Sequence, residues 1–138
     1  METFLKVYRD LNRDNVERIT GIYTDDVRFV DPAHEIQGLD ALLVYFRRLY
    51  ENVSDVRFEF NHPLKDGSSG YVQWRMRYRH PRLKRGSEIL VPGASFLKFT
   101  DDGKVWHHRD YFDMGSLLYE HLPIMGSAVG AIKRRFGA

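Results

Sequence analysis

Tyr71-Val72-Gln73-Trp74-Arg75-Met76-Arg77-Tyr78-Arg79 is the stretch that decides the fold. Val72, Trp74, Met76 and Tyr78 alternate with Gln73, Arg75, Arg77 and Arg79, the two-residue period of a strand with one apolar and one polar face. Upstream, Val56, Phe58 and Phe60 alternate with Arg57 and Glu59 in the same way. Asp66-Gly67-Ser68-Ser69-Gly70, Lys84-Arg85-Gly86 and Asp101-Asp102-Gly103 punctuate the second half with residues that tolerate the backbone of tight turns. Four antiparallel strands are therefore expected over about 55–64, 71–81, 87–100 and 104–113.

The first half has a different period. Phe4, Tyr8 and Leu11, then Val16, Ile19 and Tyr23, recur at helical spacing on either side of the polar break Asn12-Arg13-Asp14-Asn15, which reads as two short helices. Val27 to Val30 reads as a strand, stopped by Asp31-Pro32 because proline has no N–H and pushes its predecessor toward extended geometry. After Gly38, the residues Leu39, Leu42, Leu43, Phe46, Leu49 and Tyr50 mark a third helix. Residues 116–138 carry apolar residues interrupted by Pro123 and glycines, a broken helical or irregular tail. Helices first and a long antiparallel sheet after them define an α+β class in a single domain over 1–138.

Composition excludes several functions. The chain has 138 residues, enough for one core, and a formal net charge of only +2, so no whole-molecule field argues for nucleic acid or an anionic membrane. It contains no cysteine, which removes disulfides, thiol catalysis and cysteine-based zinc sites. No apolar run approaches the roughly 18 residues of a membrane span, and the N-terminus lacks a signal core, so a soluble, cytoplasmic protein is expected. Arg75, Arg77 and Arg79 form a basic row. With Trp74 and Tyr78 alternating inward, the row lacks stacking aromatics on its own face, and a solvated or dimer-facing surface paired with neighbours such as Glu59 is expected in place of a nucleic-acid site.

Two aspartates carry the chemistry. Asp31 ends the first strand, and Asp110 lies in Trp106-His107-His108-Arg109-Asp110-Tyr111-Phe112-Asp113. A carboxylate set among aromatic neighbours loses hydration, which suits it to acid–base work. Alternation places His108, Asp110 and Phe112 on one face. Each residue also has a plainer role: Asp31 as a turn cap before Pro32, Asp110 as a salt-bridge partner, His108 as a satisfied core polar group. His34 and Glu35 follow Asp31 closely, yet a metal site needs three convergent ligands, and no metal or cofactor is expected.

The segments Tyr-x-Asp-Asp-x-x-x-x-Asp-Pro over 23–32 and Gly-Lys-x-x-x-x-Arg-Asp-Tyr-Phe-Asp over 103–113, in this order of elements, resemble the nuclear transport factor two superfamily. That group includes ketosteroid isomerase, limonene epoxide hydrolase and SnoaL-type polyketide cyclases. The resemblance implies a cone-shaped, curved antiparallel sheet with about three N-terminal helices packed on it and a C-terminal helical tail. It implies a cofactor-free isomerase, cyclase or hydrolase acting on a small apolar carbonyl or polycyclic molecule, or a non-catalytic ligand-binding or protein-interaction module of the same fold, and a homodimer across the outer sheet face. Asp31 matches the isomerase's base and Asp110 the working carboxylate of the hydrolase and cyclase, with His108 beside it. The isomerase's oxyanion-holding positions fall at or next to Val7 and near Ala94 or Ser95, leaving Tyr8 or Tyr78 as substitutes. The hydrolase's supporting arginine and aspartate are replaced by Met76 and Tyr78. The expected pocket walls are Phe29, His34, Tyr45, Trp74, Met76, Tyr78, Phe96 and Phe112.

Overall fold

The computed structural model describes residues 1–122 and 124–137. In chain order the elements are α1 (Glu2–Asp10), a 3-10 segment (Val16–Gly21), β1 (Tyr23–Val30), β2 (Glu35–Gln37), α2 (Leu39–Asn52), β3 (Ser54–Asp66), β4 (Ser69–Arg79), β5 (Ile89–Phe99), β6 (Val105–Phe112), α3 (Met114–Leu117) and α4 (Met125–Phe136). A short 3-10 turn at Lys84–Gly86 precedes β5, and another at Tyr119–His121 separates α3 from α4. The second expected helix is this tight 3-10 piece, and the tail is broken between α3 and α4, while Gly126 and Gly130, expected to interrupt it, lie inside α4.

The six strands form one sheet in the order β2-β1-β6-β5-β4-β3. All neighbours are antiparallel except β1 and β6, which run parallel, with Phe29 opposite His108. The sheet is thus mixed. The parallel pair joins the two halves of the chain and brings the two candidate carboxylate strands side by side. At Gly103, φ is +85°, a left-handed backbone that glycine adopts without steric cost, and it closes the β5–β6 connection. β3 breaks register between Ser54 and Arg57 and again between Asn61 and Leu64, where Asp55 and His62 take positive φ. Such bulges bend a strand, here curving the sheet around its inner face.

Helices α1 and α2 cover that inner face. Phe4, Leu5 and Tyr8 of α1 and Leu39, Leu42, Phe46 and Tyr50 of α2 are buried, as helical spacing requires. They pack with Val27, Phe29, Val72, Trp74, Tyr78, Val91 and Leu97 into one core. The outer face is mixed. Arg77 lies 3.5 Å from both Glu59 and Glu88, and Arg79 is 3.2 Å from Asp55, so part of the basic row is neutralised. Contrary to the sequence reading, aromatics share this face: Tyr71 and Tyr111 are exposed, and Phe96 packs against Tyr71 with centroids 4.9 Å apart. Phe96 is consequently no pocket wall. Ser95 and Leu97 are its buried neighbours, so strand parity sends Phe96 outward.

Candidate functional site

Between the sheet and α2 lies a cavity of about 360 Å³. Phe29, Tyr45, Phe46, Tyr50, Phe58, Trp74, Met76, Tyr78 and Phe112 make its apolar wall, α3 and its C-cap add Met114, Leu117 and Leu118, and Asp31, His34, Arg48, Asn52, His80 and Asp110 are its polar points. Seven of the eight expected wall residues are here, all but Phe96. Both aspartates reach the same cavity, as alternation demands.

Asp110 is held by one oxygen. Its Oδ1 accepts from Ser95 Oγ at 2.5 Å and meets His108 Nε2 at 2.6 Å. Oδ2 has no hydrogen-bond partner among the described residues, and the side chain keeps 17% of its surface open. The register explains the arrangement, since Ser95 sits directly opposite Asp110 across the β5–β6 ladder. Trp74 Nε1 donates to Ser95 Oγ at 2.9 Å, which leaves the serine hydrogen for Asp110.

Behind Asp110 the chain of hydrogen bonds continues inward. His108 Nδ1 is 2.7 Å from the Tyr23 hydroxyl, and Tyr23 in turn bonds the Tyr8 hydroxyl. With Nε2–H given to the carboxylate, Nδ1 of a neutral imidazole accepts from Tyr23, whose oxygen then accepts from Tyr8. His108 itself is buried and does not reach the cavity wall, so it supports Asp110 from behind. Burial drives the Tyr8 and Tyr23 phenols well above their usual range, with the Asp110 charge adding to both, so both stay protonated.

Asp31 is placed differently. Its Oδ1 accepts the backbone N–H groups of Ala33 at 2.8 Å and His34 at 2.7 Å, the turn-capping role. The side chain is only 5% exposed and still lines the cavity. His34 Nδ1 lies 3.1 Å away, and the Tyr45 hydroxyl donates to Oδ2 at 3.3 Å. Burial raises the Tyr45 phenol, and the Asp31 charge raises it further. The capping role and the cavity position coexist in one side chain.

Neither suggested oxyanion substitute is free. Tyr8 gives its hydrogen to Tyr23, and Tyr78 gives its own to the Leu117 carbonyl, tying β4 to α3. Burial pushes the Tyr78 phenol up to about 12. Among the described residues no three metal-ligating side chains converge, and no helix is long and apolar enough to cross a membrane. Sequence reasoning missed Tyr23, Tyr50 and the Ser95 bond to Asp110. Tyr50 shares the Leu42–Phe46 helical face, a legible signal, whereas Tyr23 and His108 meet only through tertiary structure.

The fold and this pocket define a protein of the nuclear transport factor two-like class. Residues 4–108 match the SnoaL-like domain, and the chain belongs to that family. A putative SnoaL-like polyketide cyclase from Jannaschia sp. CCS1 is similar at 16% identity over 85% of this chain and 87% of its own, with a TM-score of 0.72. A protein of ketosteroid isomerase-like fold from Catenulispora acidiphila, solved in complex with trimethylamine, aligns at 18% identity over 85% and 88%, TM-score 0.71. AclR, a putative hydroxylase from Streptomyces galilaeus, aligns at 18% identity over 78% and 83%, TM-score 0.62. No functionally curated protein matches the sequence.

Proposed function

We propose that this protein is a cofactor-free acid–base enzyme acting on a small apolar carbonyl or polycyclic substrate, with Asp110 as the general base and acid. The observation that carries the reading is the asymmetry of Asp110: Oδ1 is held by Ser95 and His108, while Oδ2 stands without a partner at an apolar cavity. A base needs one such reachable lone pair in a fixed direction. The cavity volume of about 360 Å³ lies within the range of small-molecule sites and accepts a two-ring compound. Similar structures are named polyketide cyclase and hydroxylase, which agrees with a ring-bearing substrate. Asp31, capped and buried, serves as a second carboxylate that biases the far side of the cavity toward positive or hydrogen-donating groups.

The test is deuterium exchange next to a ketone. 2-Tetralone in D₂O is followed by proton NMR with wild type and Asp110→Asn. Wild type is expected to accelerate exchange at the carbons beside the carbonyl, and the variant to lose the effect. Tight binding without any acceleration sinks the catalytic reading and leaves a ligand-binding module.

A further inference from the structure

Three arginines lie on or against the last two turns of α2, and two of them have structural work. Arg13 donates to the carbonyls of Tyr50 at 3.5 Å and Glu51 at 3.3 Å, so it meets the negative end of the helix. Arg47 pairs with Glu17 at 3.0 Å. Arg48 does neither. Its carbonyl accepts from Asn52 Nδ2, while its guanidinium has no hydrogen-bond or ion-pair partner among the described residues. Among those residues it is also the one lysine or arginine that lines the cavity, and being exposed it stands at the mouth. The two carboxylates are elsewhere. Asp31 follows Val30, which faces Arg109, and Asp110 faces Ser95, which faces Val72, so both acids sit near one rung of the sheet. His80, also at the cavity, lies eight residues beyond Val72, just past the end of β4. There Arg79 pairs with Ser54, the residue after the α2 C-cap Val53, so His80 and the Arg48 end of α2 meet away from the acids. His80 Nδ1 accepts the Arg82 backbone N–H at 3.1 Å, which puts the ring hydrogen on Nε2 as a second donor. His34, by contrast, is engaged with Asp31.

We propose that the guest of this cavity is an apolar ring acid, its carboxylate held at the mouth by Arg48 with His80 Nε2–H as second donor, and its ring body lying along the apolar wall toward Asp110. Only the statement that this guest reacts rests on the acid–base reading of Asp110; its binding does not, and no bond is made or broken in it. The planar fork of an arginine matches a carboxylate with two parallel N–H bonds, which a hydrated lysine would not. The background field opposes such a guest. Two carboxylates at the cavity repel an anion, so without a cation at work a neutral guest would bind better than an acid of the same shape. A preference for the acid is therefore something that a cation at the mouth must supply.

Tetralin-6-carboxylate and its primary amide, matched in shape and different in charge, test this by calorimetric titration of the full chain at neutral pH, where the acid is ionised. Competition with tetralin reports whether each probe occupies the cavity. Wild type is expected to bind the acid about fivefold or more tighter than the amide, the worth of one well-placed ion pair at a partly exposed position. Both probes should displace tetralin. Arg48→Gln should still bind tetralin and lose the preference for the acid, and a thermal melt confirms that this exposed substitution leaves the fold intact. An acid preference that is absent in wild type, or that survives in Arg48→Gln, overturns the assignment. So does an acid that binds without displacing tetralin. If wild type shows an Arg48-dependent acid preference but fails to exchange 2-tetralone, the general-base reading falls and the acid site stands. Exchange by wild type without any acid preference gives the reverse.

Discussion

The Trp74 indole N–H lies 2.9 Å from Ser95 Oγ, and since an indole only donates, this bond fixes which way the serine hydroxyl points. Ser95 is thereby committed to Asp110, and the direction of one carboxylate is set by an aromatic ring on the next strand but one.

Ser95→Ala should therefore act twice. It removes a donor from Asp110 and leaves the buried Trp74 N–H without an acceptor, at a cost of about 1–3 kcal/mol. A melt several degrees below wild type, together with slower 2-tetralone exchange, is the expected result. Ser95→Thr, which keeps the hydroxyl, should recover much of the rate.

Asp110→Asn keeps an oxygen that accepts from both Ser95 and His108. Exchange should be lost while the fold holds, and the melting temperature should stay within a few degrees of wild type or rise, because a partly desolvated charge is gone. A drop of many degrees would show that Asp110 is mainly a structural anchor.

Gly93→Ala should close the pocket from behind. A Cβ at Gly93 would lie 2.3 Å from the Trp74 ring, so the indole must move toward the cavity. Overpacking of this kind costs about 1–3 kcal/mol. Loss of tetralin binding alongside a lowered melt is the expected outcome.

The tail should loosen in acid. A hydrogen bond from Lys133 holds the Asp113 carboxyl below its unfolded value of 3.8, so the stability it contributes is present above that value and is lost as pH falls through the lower folded one. Lys133, raised above 10.5 by Asp113 and Glu120, contributes below 10.5 and loses its contribution only as pH rises through its raised value. NMR signals of residues 125–136 should therefore change in an acid step below pH 3.8 that Asp113→Asn abolishes.

A homodimer is expected across the outer sheet face, where Tyr71, Leu90 and Tyr111 are about half exposed and the ionic row of β3 and β4 is partly paired within the chain. Light scattering at micromolar concentration measures it. A monomer mass that persists on further concentration rules it out.

The sheet was legible because Val72, Trp74, Met76 and Tyr78 obey a period that only a half-buried strand requires. The bounds expected for β3 to β6 fell within two residues of those observed, whereas β1 starts at Tyr23 and not at Val27. β2 was invisible: three residues, Glu35 to Gln37, carry too short a pattern to register. β1 begins earlier than its apolar core because Tyr23 pairs with Val105, and Asp25 and Asp26, poor strand formers, lie in the irregular stretch between that pair and Arg28 opposite His107. Phe96 was misplaced because parity within β5 is fixed by Ser95 facing Asp110, a cross-strand relation that composition cannot express. Both aspartates were found from their own neighbours. The chain from Asp110 through His108 and Tyr23 to Tyr8 was not, since it links residues up to 85 positions apart.

Tyr78 fastens the Leu117 carbonyl, and with it a wall built from residues 114–118, onto a sheet that would otherwise stand as an open trough. Base and ceiling thus sit on different elements, Asp110 on β6 and the wall on α3 and its C-cap. Replacing the segment after Asp113 should retune the size and shape of acceptable guests while leaving Ser95, His108 and Asp110 in place on β5 and β6.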